Sequence, residues 1–316
     1  MSKIDISIVV PLHNEEECAR LLYESITNVM KDLNRKYEII FIDDGSTDTT
    51  FERVKTIHEK DHQLKVIKFR RNYGQTPAMQ AGFDHANGKI IVSMDGDLQN
   101  DPKDIPKFLE KIEDGYDIVC GFRKNRKDKL VTRKIPSKIA NWLIGKVTGV
   151  KIHDNGCSLK AYKSAAIKKT RLYSEMHRFI PAMTSNIGAR YTEIVVNHHA
   201  RKFGTSKYGL SRIWTVFLDI FTIKMLLGVS MTHGLWFGIL SFPFLIVGTI
   251  FAFLSANLYL NPLIYNSFPI ILPSVTILCF FLFAHMLLLG FLSDIIFKTG
   301  DFKPKDSKRI SSAEVL

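Results

Sequence analysis

The sequence predicts an α/β domain, a parallel sheet covered by helices on both faces, followed by an amphipathic helix and two membrane-crossing helices. Three observations carry this reading. From Ile6 to about Gly121, short apolar runs alternate with amphipathic segments of helix length, the pattern of repeated βα units. Between Lys224 and Asp294 lie 69 consecutive residues without Asp, Glu, Lys or Arg, which excludes a wholly soluble protein. Lys and Arg (43) outnumber Asp and Glu (31), for a formal charge of +12, and that surplus calls for an anionic partner.

Taken in order, Ile6–Pro11 reads as a first strand and Glu15–Leu33 as a helix with Leu21, Leu22, Ile26, Val29 and Met30 on one face. Tyr37–Ile42 is a second strand, and Ser46 or Thr47 is placed to cap a helix running to about Lys60. Leu64–Phe69, Gln75–Ala86 and Lys89–Met94 continue as strand, helix, strand. Pro102 opens another helix before a fifth strand at Tyr116–Cys120. Lys124–Lys146 is basic and partly helical, and Arg190–Asn197 is strand-like. Ligands of such sheets bind beyond the carboxyl ends of the strands, where Asp43-Asp44 and Asp95-Gly96-Asp97 fall.

The domain plan is a catalytic unit over 1–207, a juxtamembrane amphipathic helix over 208–231, a hairpin over 232–297 and a basic tail over 298–316. Tyr208–Leu227 carries Arg212, Asp219 and Lys224 among apolar residues, as an interfacial helix does. Thr232–Leu254 and Phe268–Leu292 span 23 and 25 residues, against about 20 needed to cross the hydrocarbon. Lys and Arg flank both ends, so the positive-inside rule puts both termini in the cytoplasm and the linker outside. The N-terminus has no signal-peptide pattern.

Asp95 and Asp97, two apart at a strand end, can converge on one hard cation, Mg²⁺ or Mn²⁺, which takes its other ligands from phosphates and water. A calcium loop would need Gly and Glu where Asn100 and Pro106 stand. Asp43 can accept from a base N–H or a ribose hydroxyl, the competing use being helix capping. GxGxxG and GxxxxGK[ST] motifs are absent, which removes hydride-transfer and ATPase readings. The cysteines Cys18, Cys120, Cys157 and Cys279 form no CxxC pair, so neither zinc nor a disulfide framework is indicated.

Ser7–Glu17 (SIVVPLHNEEE), Ile39–Asp48 (IIFIDDGSTD), Arg71–Gln75 (RNYGQ), Asp95–Gln99 (DGDLQ) and Arg201–Tyr208 (RKFGTSKY) resemble, in order, the family 2 glycosyltransferases of GT-A fold. The resemblance is to the branch of dolichyl-phosphate mannose synthase and the bacterial polyprenyl-phosphate glycosyltransferases. It implies that Pro11, His13 and Glu15 hold the nucleotide, although many relatives have an aromatic at the place of His13. It implies further that Asp43 and Asp44 contact base and ribose, that Asp95, Asp97 and Gln99 ligate the metal, and that Gly96 lies against the donor. Arg123, Arg201 and Lys207 match phosphate-clamping cations, and Arg133 with Ser137 matches the grip on the lipid phosphate. Asp154 falls where relatives present an acid near the acceptor, some of them at the place of Cys157.

The expected reaction is inverting, metal-dependent transfer of a sugar from a nucleotide diphosphate sugar to a polyprenyl phosphate, undecaprenyl or dolichyl, at the cytoplasmic membrane face. A phosphate monoester is largely dianionic at neutral pH, so the nucleophile needs no base, and charge is the obstacle. Eight basic residues against one acid between Gly121 and Lys138 suit anionic lipid headgroups as well as the site; a nucleic-acid partner is not expected, and assembly of copies stays open. The stretch His198–Tyr208, with Gly204 and Gly209, is placed to act as a flap. Two alternatives are a processive polysaccharide synthase, disfavoured by two spans and no QxxRW-like motif, and a non-catalytic membrane scaffold, disfavoured by the complete set of acids and cations.

Overall fold

A computed structural model describes residues 4–124, 142, 144–146, 148–170, 172, 176–185, 188–203, 233–260, 270–299 and 314–315. The chain divides into two compact units, Met1–Lys224 with Asp306–Leu316, and Met225–Lys305. Arg133, Ser137, Lys207, the helix expected over 208–231 and most of the tail lie outside the described residues.

In the first unit the strands are β1 (Ile6–Leu12), β2 (Tyr37–Asp43), β3 (Leu64–Lys68), β4 (Ile90–Ser93), β5 (Ile118–Phe122), β6 (Lys160–Lys163), β7 (Tyr191–Val195) and β8 (Glu314–Val315). Their order in one sheet is β7-β5-β6-β4-β1-β2-β3-β8. The helices α1 (Ala19–Asp32), α2 (Thr50–His58), α3 (Gln75–His85) and α4 (Ile105–Glu113) connect the strands of the first half. Side chains of β1 alternate between the two faces. Ile6, Ile8, Val10 and Leu12 join the core formed with Leu22, Ile26 and Met30 of α1 and Phe108 and Ile112 of α4. Val9 points the other way, toward α3, where Gly82 lets the helix approach: a Cβ there would stand 2.3 Å from Val9 Cγ1.

β1 to β5 all run in one direction, as the repeated βα units predict, and the sheet becomes mixed through β6 and β8, which lie outside that stretch. β6 runs antiparallel between β4 and β5, pairing Ser93 with Lys160 and Cys120 with Lys160, and β8 is antiparallel to β3. Because β6 runs against its neighbours, the residues just before Lys160 lie at the carboxyl ends of β4 and β5. Helix starts also differ: α1 begins at Ala19 rather than Glu15, and α2 at Thr50. Ser46 and Thr47 do not cap α2, because they bond Asn14 instead, while Asp48 takes the Thr50 N–H at 3.0 Å.

The second unit is a pair of helices, His233–Leu260 and Ile271–Thr299. The first runs past the expected end at Leu254, so the linker is shorter than the sequence suggests. At 28 and 29 residues and 1.5 Å per residue, each exceeds the roughly 30 Å of bilayer hydrocarbon. Leu235, Phe253, Ile277 and Phe291 are exposed, and only 11% of each apolar window is buried, so this surface is built for lipid rather than water. Glycines set the close approach: a Cβ on Gly290 would lie 2.8 Å from Phe237 Cβ and 3.3 Å from Gly234 Cα. Asp294 accepts the Gly234 N–H at 3.2 Å, so both outer ends of the hairpin meet on one side.

Candidate active site

Two loops at the carboxyl edge of the sheet interlock. After β1, His13 Nδ1 meets the Asp44 carbonyl at 3.0 Å, the Asn14 N–H donates to Ser46 Oγ at 2.9 Å, and the Asn14 side-chain oxygen accepts the Thr47 N–H at 2.8 Å. The Glu15 N–H donates to Thr50 Oγ1 at 2.9 Å. Asn14 takes the left-handed φ of 54° that this crossing requires. Gly45, at φ 62°, passes so near the backbone of Arg71 that a Cβ would stand 2.2 Å from its carbonyl carbon.

Asp43 and Asp44 end β2 and serve differently. Asp43 is fully buried; Oδ1 accepts the Ser46 N–H at 3.3 Å, while Oδ2 is buried without a hydrogen-bond partner. Burial raises its pKa above the ordinary 3.8. Asp44 spends both oxygens on backbone, accepting from Tyr73 N at 2.7 Å and Gly74 N at 2.9 Å. A buried carboxylate oxygen with nothing to accept from costs stability, and such atoms mark places where a ligand donor fits.

The loop after β4 holds the second cluster. Asp95 Oδ1 accepts from Gln75 Nε2 at 2.6 Å. Asp97 is 8% exposed; Oδ1 accepts the Gln99 N–H at 3.2 Å and Oδ2 accepts from Arg201 Nη2 at 2.6 Å. Burial first, and the Asp95 charge second, push the Asp97 pKa up to about 6, with Glu15 adding to the rise. Gln99 turns its amide nitrogen to the His199 carbonyl at 3.3 Å. Gly96 lies against the end of β1, where a Cβ would come 2.4 Å from Leu12 Cδ2 and 3.2 Å from the Pro11 carbonyl. Pro11 thus helps shape the acid loop from below. Among the described residues no group of three or more His, Cys, Asp or Glu side chains is gathered for a metal.

The third cluster comes from the approach to β6. Arg123, just past β5, forms a two-pronged ion pair with Asp154: Nε to Oδ2 at 2.7 Å and Nη2 to Oδ1 at 2.9 Å. The side chains are 11% and 7% exposed. Burial opposes the Arg123 charge, but the Asp154 hydrogen bonds and charge outweigh it and raise its pKa, with Asp95 contributing. Glu193 of β7 secures this loop by accepting the N–H groups of His153 at 2.9 Å and Asp154 at 3.3 Å. Cys157 is buried against Gly121, and burial raises its thiol pKa to about 11, so it is inert at neutral pH.

The structure therefore brings Pro11, His13, Glu15, Asp43, Asp44, Asp95, Gly96, Asp97, Gln99, Arg123, Asp154 and Arg201 to one edge of the sheet. Gln75 and Glu193 join them without having been anticipated. The signal for Gln75 was the RNYGQ segment itself, but nothing in its spacing pointed to Asp95.

Acids at the ends of β2 and β4, flanking β1 on a mixed sheet, stand on a GT-A-like α/β core. The same fold recurs in crystal structures of glucosyl-3-phosphoglycerate synthase from Mycobacterium tuberculosis, one of them with Mn²⁺, uridine diphosphate and glucosyl-3-phosphoglycerate (TM-score 0.54, 15% identity, 70% of this chain and 79% of that one). The family model for glycosyl transferase family 2 matches residues 7–171. A dodecaprenyl-phosphate galacturonate synthase of Rhizobium johnstonii is 46% identical over 242 residues, 75% of this chain and 72% of the relative. An undecaprenyl-phosphate 4-deoxy-4-formamido-L-arabinose transferase of Salmonella choleraesuis is 40% identical over 218 residues, 69% of this chain and 66% of the relative. The chain belongs to glycosyl transferase family 2 and is a glycosyltransferase.

Proposed function

We propose that the protein transfers a sugar, with inversion, from a nucleotide diphosphate sugar to a polyprenyl phosphate at the cytoplasmic face of a membrane. The observation that carries this is the pairing, across β1, of a buried carboxylate oxygen lacking a partner (Asp43 Oδ2) with a second pair of acids, Asp95 and Asp97, in the loop after β4. The first suits a base or ribose donor, the second a diphosphate with its cation.

A divalent cation fits the residues present. Asp95, Asp97 and Gln99 offer hard oxygen donors in the one loop after β4. Mg²⁺ or Mn²⁺ bound there would offset charge on the departing diphosphate. Arg201, now on Asp97, stands within reach of the same phosphates, and Lys207 is assigned with it. Asp44 braces the floor of the nucleotide cradle through Tyr73 and Gly74. Arg123, fixed by Asp154 and near enough to Asp95 to feel its charge, meets the acceptor phosphate, with Arg133 and Ser137 assigned to the same group.

The phosphate oxygen attacks the anomeric carbon as the bond to the diphosphate oxygen breaks. The nucleoside diphosphate leaves, and the sugar configuration inverts. No proton is removed, because the acceptor is already a dianion; Asp154, with both oxygens on Arg123, orients that arginine rather than serving as a base. The hairpin tethers the enzyme to the membrane that holds its acceptor, with the flanking Lys and Arg on the cytoplasmic side. A test supplies membranes containing the protein with radiolabelled nucleotide sugars and Mg²⁺, then extracts lipid. Label in an acid-labile lipid phosphate, lost on Asp97→Asn, is expected; label in polymer alone would refute the acceptor assignment.

A further inference from the structure

The first turn of α3 is fastened on both sides. Before it, Asp44 holds the N–H groups of Tyr73 and Gly74, and Gly74 takes a φ of 96° open to glycine. After its first residue, Thr76 Oγ1 bonds His177 Nδ1 at 2.7 Å in a buried contact. Between these ties stands Gln75, whose amide nitrogen donates to Asp95 Oδ1 at 2.6 Å.

We infer that Gln75 is a positioning residue for the cation site, the amide that sets the orientation of the Asp95 carboxylate. This rests on the proposed role of Asp95 and Asp97 in holding a divalent cation. An amide suits the task physically. It fixes one carboxylate oxygen and so the plane of the group, yet it carries no charge and leaves the full negative charge for a cation. A lysine at that place would compete with the cation, and a shorter side chain would not reach. Partners that orient ligands in this way typically change metal affinity by about 10- to 100-fold when removed. Because Asp44 secures the backbone immediately before Gln75, one short strap links the end of β2, where the nucleotide is read, to the end of β4, where the cation is held. Asp44 acts in this scheme through backbone rather than by touching the ribose.

The test uses the full chain in detergent and follows Mn²⁺ alone, without nucleotide, through the electron paramagnetic resonance signal of the free ion. Gln75→Leu is expected to weaken Mn²⁺ binding by about 10- to 100-fold while thermal stability stays at the wild-type value. In transfer assays the Mn²⁺ concentration for half-maximal rate should rise by the same factor, with the rate largely restored at saturating Mn²⁺. Gln75→Asn, which keeps the amide but shortens the reach, should behave like Gln75→Leu. Asp44→Asn should also weaken Mn²⁺ binding, an effect that a pure ribose contact would not produce. Wild-type Mn²⁺ affinity in Gln75→Leu overturns the inference and leaves the cation site standing. Equal loss of Mn²⁺ binding and thermal stability overturns it too, as a merely structural contact. A wild-type protein that binds no Mn²⁺ overturns the reading of Asp95 and Asp97 as well.

Discussion

Replacing Asp154 separates a positioning carboxylate from a catalytic base. The Arg123–Asp154 pair has two near-ideal contacts, 2.7 and 2.9 Å, with both side chains about nine-tenths buried. Removing one partner of such a pair leaves a buried charge uncompensated, at a cost of about 3–5 kcal/mol. For a unit of this size, about 2–4 °C of melting temperature accompanies each kcal/mol, so Asp154→Ala should melt roughly 6–20 °C lower. The assay is thermal unfolding in detergent with a thiol-reactive dye, since Cys120 and Cys157 are wholly buried in this sheet. The companion measurement is the pH–rate profile of Asp154→Asn, which keeps an acceptor for Arg123 but cannot take up a proton. Loss of a general base costs about 10²- to 10⁴-fold, whereas a weakened positioning contact should raise the acceptor KM more than it lowers kcat. Asp154→Asn with wild-type melting, a rate down by more than about 100-fold and a vanished acidic limb would refute the positioning role.

Two further outcomes are expected. Asp43→Asn should melt no lower than wild type at pH 7, because burial raises the Asp43 pKa and its ionised form therefore costs stability above about pH 3.8; the same change should weaken nucleoside diphosphate binding by about tenfold or more in equilibrium dialysis. Glu38 is buried, which opposes ionisation, yet bonds from Lys65 and Ser7 and the Asn87 N–H hold its pKa below the ordinary 4.5. A depressed acid contributes stability above its unfolded value, lost as pH falls through its folded value. Melting of wild type should thus decline below about pH 4.5, and Glu38→Gln should be less stable at pH 7 with a flatter decline in acid.

The first half of the domain was legible because its strands are continuous apolar runs: Ile39, Ile40, Phe41 and Ile42 are all fully buried, so each βα unit announces itself. The acids at the strand ends followed from that register. β6 was not legible, since Lys160–Lys163 is four residues with a lysine at each end and pairs with strands tens of residues away. The hydrogen-bond partners of Asp44 and Asp154 were hidden for a related reason. Each carboxylate is claimed by partners 29 to 31 residues distant, and spacing along a chain does not disclose which donor reaches first. The hairpin was legible in kind, from its missing charges, while its helix ends were not, because a continuous apolar run does not mark where it stops.

The reversed direction of β6 has an evolutionary consequence. The segment carrying Asp154 reaches the carboxyl edge of the sheet from a strand set beside, rather than within, the β4-β1-β2-β3 series that carries Asp43, Asp44, Asp95 and Asp97. Insertions or deletions ahead of Lys160 therefore leave the register of β1 with β2 and β4 untouched. Under the proposed function, this separates the segment assigned to the acceptor from the loops assigned to the donor, and chimeras joined between β5 and β6 are the way to exchange the one without the other.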